Sequence, residues 1–162
     1  MDIKESMQNS LSEQINTEFF SAYIYLAMSN YFHHLNLTGF AHWMEKQAAE
    51  ELSHGMKLYR YIIGRNGSAG FKEITQPNYK WESPLHAFEE VVKHEQHVTE
   101  KINKLVDQAI AEKDHATFGE LQWFIKEQIE EESTSRSIYE KIKMVGTSAQ
   151  GLILIDRELA QR

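Results

Sequence analysis

Hydrophobic residues recur at intervals of three and four along four long segments of the chain, and a short apolar segment follows near its end. This spacing is typical of α-helices that bury one face against other helices. We predict five helices, α1 to α5, over about residues 5–34, 39–66, 84–112, 115–145 and 148–160. The fold class is therefore all-α: a four-helix bundle over about residues 5–145 with a short C-terminal fifth helix.

Local signals support several of these ends. Ser83 followed by Pro84 is a favourable start for α3, because serine caps a helix and proline suits its first turn. Gly64 and Gly67 are expected to end α2, and Gly146 is expected to end α4.

The connections between the predicted helices predict the topology. About four residues join α1 to α2, so these two helices should be antiparallel neighbours. Residues 67–83 join α2 to α3, and an extended chain of this length can reach ~56 Å at ~3.3 Å per residue. A helix of ~28 residues is only ~42 Å long. The connection can therefore cross the whole bundle and leave α3 parallel to α2.

Each apolar stripe is interrupted near its midpoint by polar residues. The interrupting residues are Glu18 on α1, Glu51 and His54 on α2, Glu95 on α3, and Gln128 and Glu131 on α4. The apolar stripe of α4 is predicted to contain Phe118, Leu121, Ile125, Ile138 and Ile142. Because the midpoints of bundled helices lie at one level, the six interrupting side chains should converge inside the core.

The negative charge of a layer of buried acids must be compensated. Carboxylates in an apolar core repel one another and are costly to ionise unless they are paired or bind metal. No lysine or arginine lies on these stripes at the same level. Oxygen-rich ligation with one imidazole suits iron or manganese better than zinc, and the layout matches that of di-iron helical bundles. For any single glutamate the alternative is a solvated side chain on a misassigned face.

Two further features extend this hypothesis. Tyr25 lies two turns after Glu18 on the same face, where it can hydrogen-bond the site, take part in electron transfer, or simply pack in the core. Glu50, Glu127 and Glu130 each precede a candidate ligand by one position. They form either a further iron site on the flank of the centre or a solvated acidic face.

Composition narrows the possible functions. Cysteine is absent from the 162 residues, which excludes disulfides, zinc ribbons and cysteine-ligated iron. The net charge of −7, without any basic block, argues against nucleic acid as a partner. No apolar run approaches the ~20 residues that span a bilayer, and the first residues do not resemble a signal peptide. We therefore expect a cytoplasmic protein with a single domain over residues 1–162. The histidines other than His54 are expected to lie on the surface or to have their hydrogen bonds satisfied within the protein.

The chain resembles the bacterial non-haem ferritins over essentially its whole length. The matching stretches are Glu13-Gln14-Ile15-Asn16-Thr17-Glu18, Glu50-Glu51-Leu52-Ser53-His54, Leu121-Gln122-Trp123-Phe124, Glu127-Gln128-Ile129-Glu130-Glu131-Glu132 and Gly151 to Leu159. The resemblance implies a ferritin-like bundle, a hollow homo-oligomeric cage of 24 subunits, and oxidation of Fe(II) by dioxygen or hydrogen peroxide. A ferric oxyhydroxide mineral is then deposited inside the cage.

The resemblance also implies roles for individual residues. The first iron site of the ferroxidase centre takes Glu18, Glu51 and His54. The second takes Glu51, Glu95 and Glu131, with Gln128 and Tyr25 as near neighbours. A third iron site takes Glu50, Glu127, Glu130 and Glu131.

Two related groups differ from this chain. Bacterioferritins ligate haem through a methionine at the position that Leu52 occupies here, so no haem is expected. They also have a Glu-x-x-His pair in α4, where this chain has Gln128 and Glu131. DNA-binding mini-ferritins build their iron site between subunits and lack a fifth helix. The ligand set within one chain argues against that group.

Two other classes of function remain. A di-iron oxidase or peroxidase without mineral storage would need an open pocket beside the metals, and a structural bundle or iron buffer would oxidise no iron rapidly. The apolar α5, with Leu152, Ile153, Leu154, Ile155 and Leu159, is expected to contribute to a subunit interface. A chain that ends at Gly146 is then expected to keep α1 to α4 folded but to assemble poorly.

Overall fold

The computed structural model describes residues 1–162, which form five α-helices and no β-strand. The helices are α1 (Glu5–His34), α2 (Thr38–Gly64), α3 (Pro84–Ala111), α4 (His115–Val145) and α5 (Ala149–Leu159). The all-α prediction is confirmed, and every helix end lies within two residues of its predicted position. No helix combines the length and the apolar character that crossing a membrane would require.

The predicted signals are confirmed at the start of α3 and at two helix ends, since α2 ends at Gly64 and Gly146, with φ of 55°, follows the last residue of α4. The side chain of Ser83 caps α3 by accepting a hydrogen bond from the His86 backbone N–H. At the end of α2 the residue in the left-handed conformation is Asn66, with φ of 56°, and not Gly64. Gly67 is required for a different reason: an added Cβ would lie 2.7 Å from the side chain of Ile3.

Contacts at the bundle ends establish the topology. The backbone N–H of Ile3 donates to the carbonyl of Arg65, so α1 starts where α2 ends. The Lys4 ammonium donates to the carbonyl of Glu112, so α3 also ends there, parallel to α2. The Arg65 guanidinium pairs with Asp114 at 3.1 Å, which places the start of α4 at the same end. The connection between α2 and α3 therefore crosses the full bundle, as predicted.

The long connection is fastened to α1 by side chains spaced four residues apart. Gln8 and Ser12 accept hydrogen bonds from the backbone N–H groups of Ser68 and Gly70, at 2.9 and 3.0 Å. Asn16 accepts from the Lys72 N–H at 2.8 Å and donates to the Gly70 carbonyl at 2.9 Å. Polar groups on one edge of α1 thus satisfy a connection that has no helix or strand of its own.

The apolar core consists of two separate clusters. One contains Phe32, Phe40 and Phe88, and the other contains Leu11, Leu58 and Ile102. The predicted stripe of α4 is partly wrong, since Phe118 is 37% exposed and Ile125 is only partly buried. Thr117 and Phe124 take their places, whereas the other predicted residues of the stripe are buried. The inward positions are Thr117, Leu121, Phe124, Gln128, Glu131, Ser135, Ile138 and Ile142. A strict alternation of four and three residues along the superhelical seam excludes Phe118 and Ile125.

The fifth helix packs against α2 and α4 of its own chain. Ile155 and Leu159 are buried in the first core cluster, whereas Ile153 and Leu154 are 49% and 66% exposed. The Asp156 carboxylate accepts hydrogen bonds from the backbone N–H groups of Gly39 and Phe40, at 2.7 and 3.0 Å. Since α2 has no side-chain cap from its own N-cap residue, α5 supplies that cap from across the chain.

Candidate metal centre

The six predicted layer residues are all buried, and they lie on the four bundle helices. They are Glu18, Glu51, His54, Glu95, Gln128 and Glu131. None of them belongs to either apolar cluster. Along each stripe they separate the residues of one cluster from those of the other. The bundle core therefore contains an acidic layer between two hydrophobic halves.

Three of these side chains offer donor atoms to a common point. One atom each from Glu18, Glu51 and His54 lies within 4.8 Å of the others. His54 Nδ1 is 3.5 Å from Glu51 Oε2, consistent with their spacing of three residues on one helix. Two carboxylates and an imidazole at such distances can share one metal ion after small side-chain adjustments.

The other two carboxylates of the layer are held by different partners. Glu95 accepts a hydrogen bond from the Tyr25 hydroxyl and a longer one, 3.3 Å, from the Gln128 amide. Glu131 accepts a hydrogen bond of 2.8 Å from the Gln47 amide. Glu95 and Glu131 are consequently poised on the α3 and α4 side of the layer, opposite the group formed by α1 and α2.

Burial without counter-charges has a clear electrostatic effect. Burial raises the pKa of Glu18 well above its usual range, and the charge of Glu51 raises it further. Burial also raises the pKa of Glu51 and of Glu95. For Glu131, burial and then the charge of Glu95 raise the pKa to about 7. The acids are therefore in an environment that disfavours their ionisation unless a cation joins them.

Two carboxylate oxygens in the layer have no hydrogen-bond partner. They are Glu18 Oε2 and Glu51 Oε2, and both residues are almost fully buried. Buried polar atoms without partners are rare in proteins. Both belong to the group that offers donor atoms to one point, so the site has the unused lone pairs that a metal ligand needs.

Tyr25 is fully buried and links α1 to the α3 side of the layer. Burial raises the pKa of its hydroxyl well above the usual value, and the charge of Glu95 adds to the effect. The hydroxyl therefore stays protonated and acts as a donor to Glu95. Its ring also contacts Trp43, edge to face, with 6.3 Å between ring centroids.

The flanking acids lie outside the buried layer. Glu50, Glu127 and Glu130 are partly or largely solvent-exposed, and their oxygens do not gather into a group of three at ligand distances. The Glu50 carboxylate is held away from such a group because it forms an ion pair with the Arg162 guanidinium at 2.5 Å. That guanidinium also lies over the Trp43 ring, 4.9 Å from its centroid. Glu127 Oε1 lies 4.0 Å from His54 Nε2, so this flanking acid is close to the centre.

Sequence reasoning overlooked two buried glutamines beside the layer, whereas it correctly expected His94 to be a satisfied histidine. Gln14 donates a hydrogen bond to Glu18, one turn later on the same helix. Gln47 donates a hydrogen bond to Glu131, which lies on α4. His94 lies beside Tyr25 and has its Nε2 within 2.7 Å of the Ser21 hydroxyl. Burial lowers the pKa of His94 to about 4, so its ring is neutral at ordinary pH. The signal that the sequence offers for the two glutamines is helical spacing, since Gln14 and Gln47 lie four residues before Glu18 and Glu51.

A large apolar cleft of about 670 Å³ lies on the outer side of α1 and α2. It is lined by residues such as Phe19, Leu26 and Leu52, and none of the six layer residues reaches it. Leu52, at the position of the haem-ligating methionine of the bacterioferritins, is 52% exposed there.

Comparisons with known proteins agree with this architecture. The sequence model of the ferritin-like domain family matches residues 8–145. The bacterial non-heme ferritin of Bacteroides fragilis is 45% identical over 160 residues, covering 99% of both chains. That of Campylobacter jejuni is 39% identical over 147 residues, covering 91% of this chain and 88% of its own. An open-pore ferritin from the archaeon Archaeoglobus fulgidus superposes with a TM-score of 0.98 at 42% identity, covering 100% of this chain and 99% of that one.

Proposed function

The chain belongs to the ferritin family, and on this basis we propose that it is an iron-storage protein that oxidises Fe(II) within its own bundle. The observation that carries the proposal is the acidic layer. Four carboxylates and one imidazole lie buried between two apolar clusters with no cationic side chain among them. Multivalent cations are the groups that such a layer accommodates best.

Fe(II) is the substrate, and the layer contains two groups of ligands, one for each ion of an iron pair. Glu18, Glu51 and His54 are the ligands for the first iron, since their donor atoms already approach one point. Glu95 and Glu131 bind the second iron, and Glu51 bridges the two. Because the pKa values of these acids are raised, iron must displace protons as it binds, and uptake should release acid.

Two Fe(II) ions together supply the two electrons that one molecule of oxidant accepts. Each Fe(II) loses one electron, and the pair reduces dioxygen to hydrogen peroxide or hydrogen peroxide to water. Carboxylates are hard oxygen ligands that stabilise Fe(III) more than Fe(II), so the layer favours this step. The Tyr25 hydroxyl, next to Glu95, is placed to donate a hydrogen bond to the second-iron ligand throughout.

Storage requires the product to leave the centre. We propose that Glu50, Glu127 and Glu130, with Glu131, receive a third iron on the way to the mineral. Glu127 supports this route through its proximity to His54, whereas Glu50 must first separate from Arg162. The ferric oxyhydroxide core and the homo-oligomeric cage of 24 subunits stay predictions from the family, and the cytoplasmic setting stays a prediction from the sequence.

A di-iron oxidase of an organic substrate is a weaker alternative. It would need a cavity that leads to the metals. The large outer cleft is not lined by any candidate ligand, and a smaller cavity of about 360 Å³ is lined by Gln128 but by none of the four buried carboxylates. The flanking acids, in contrast, are partly or largely exposed beside the buried layer, which suits a path for iron out of the centre.

Iron loading of the purified protein tests the proposed function. We expect rapid oxidation of about two Fe(II) per chain, followed by uptake of hundreds of irons per particle that co-elute with protein in gel filtration. Uptake that stops at about two per chain would indicate the oxidase alternative. Absence of any rapid oxidation would contradict a ferroxidase.

The flanking acids should affect later steps more than the first. We expect the double variant Glu50→Ala with Glu130→Ala to keep most of the initial oxidation, because neither residue belongs to the buried layer. The iron-to-oxidant ratio or the subsequent turnover should change, which oxygen-electrode and stopped-flow measurements report. Glu89→Ala with Glu140→Ala, which removes two exposed acids elsewhere, is the charge-matched control. Loss of the initial phase in the first double variant would assign these acids to the primary centre.

A further inference from the structure

Three carboxylates of the layer are each held by a glutamine amide. Gln14 Nε2 donates to Glu18 Oε1 at 2.8 Å, Gln47 Nε2 donates to Glu131 Oε2 at 2.8 Å, and Gln128 Nε2 lies 3.3 Å from Glu95 Oε2. Gln14 and Gln47 are 2% and 0% exposed. Two buried amides that nothing so far assigns therefore contact the proposed iron ligands directly.

The geometry suits the task of orienting a ligand. The hydrogen bond from Gln14 occupies one oxygen of Glu18 and leaves Oε2, the other, without a partner. Gln47 reaches across the bundle from α2 to α4, so it links the helix that carries Glu51 and His54 to the one that carries Glu131. Its own Oε1 has no donor among the protein groups, so the contact with Glu131 is its one polar anchor.

The choice of an amide has a chemical reason. A lysine or arginine in these positions would also orient a carboxylate, but its charge would neutralise the acid and compete with iron. An amide NH₂ donates without carrying a charge, so the carboxylate keeps its full attraction for a cation. Partners of this kind orient ligands in known metal sites, where their loss weakens metal binding.

We propose that Gln14 and Gln47 are positioning residues of the iron centre, which hold Glu18 and Glu131 so that one oxygen of each stays directed at substrate iron. This inference rests on the proposed function and names how its site is kept in place. It predicts that the two amides determine iron affinity and coordination geometry, although neither touches iron.

The test uses Co(II) as the probe, because its visible absorption reports coordination number and geometry without any oxidation. We expect Gln14→Met and Gln47→Met each to weaken Co(II) binding by about 10- to 100-fold and to change the band shape. In Fe(II) oxidation the KM should rise more than kcat falls. Gln108→Met is the matched control, since it breaks an i, i+4 glutamine-to-glutamate hydrogen bond of 2.7 Å outside the layer.

A further variant separates orientation from folding. Gln47→Asn keeps a buried amide but shortens it beyond reach of Glu131, so it should fold normally and still lose Co(II) affinity. Wild-type affinity and spectrum in all three variants, or an equal loss in Gln108→Met, would overturn the inference. If the wild-type protein itself neither binds Co(II) nor oxidises Fe(II), the proposed function fails as well.

Discussion

Replacing Glu51 by alanine should abolish rapid Fe(II) oxidation while leaving the apo-protein at least as stable as the wild type. Glu51 is the carboxylate shared by the proposed iron pair, so no other residue can replace it. The same substitution removes a buried acid whose charge is disfavoured by burial and by Glu95. Relief of that repulsion should offset the cavity that the substitution creates. Stopped-flow absorbance of Fe(III) and urea unfolding measure the two effects.

The stability difference should depend on pH with a definite sign. The pKa of Glu51 is raised above its unfolded-state value, so the native state holds the proton more tightly than the unfolded state. The contribution of Glu51 and Glu131 to wild-type stability must then fall as pH rises above about 4.5, and this decrease continues through their raised native pKa, about 7 in the case of Glu131. Glu51→Gln, which leaves no cavity, should gain stability relative to the wild type as pH rises.

Two outcomes would count against this assignment. Rapid oxidation at the wild-type rate in Glu51→Ala would remove Glu51 from the centre. A pH-independent stability difference would mean that the carboxyl is not repelled in the native layer. Glu100→Ala, which removes an exposed acid from α3, is the control and should change neither quantity.

Replacing Gly39 by alanine should destabilise the bundle by about 3 kcal/mol, at the upper end of the range for overpacking. An added Cβ would lie 1.7 Å from the carbonyl oxygen of Asp156, so α5 would have to move away from α2. The movement would also break the two hydrogen bonds with which Asp156 caps α2. Urea unfolding measures the loss, and light scattering measures the accompanying change in particle mass.

The control for this variant is another helical glycine. Gly119 in α4 has no atom within 4 Å of an added Cβ, so Gly119→Ala should be neutral or stabilise by about 0.5–1 kcal/mol. Equal stability of Gly39→Ala and the wild type would show that α5 does not dock as described. The contact also alters the expectation for a chain that ends at Gly146. Without Ile155, Leu159 and Asp156, α1 to α4 should lose stability as well as assembly.

Some features could be predicted because they repeat along the sequence. Glu18, Glu51, Glu95 and Glu131 stand out because each interrupts a regular apolar period, and the long connection stands out because its length exceeds ordinary loops. The amides of Gln14 and Gln47 and the flank contact of Arg162 leave no such signal. They depend on which side chain meets which across helices, and a period on one helix does not contain that information.

The assignment of inward positions on α4 shows a second limit. Phe118 and Ile125 are hydrophobic at plausible spacings, yet one neighbour of each, Thr117 and Phe124, takes the buried place. A rotation by one residue moves a side chain about 100° around a helix. Only the packing of the partner helices decides between the two rotations.

The cap that Asp156 provides also has a consequence for the order of events during synthesis. Asp156, which caps the start of α2, lies 117 residues after Gly39. A ribosome that adds about 5–20 residues per second needs roughly 6 to 23 s to synthesise this stretch. Throughout that interval the first turn of α2 lacks this cap, and the first core cluster lacks Ile155 and Leu159. A nascent chain halted before residue 156 should therefore be cleaved by proteases near Gly39. A chain whose α5 has left the ribosome and packed against α2 should resist cleavage there.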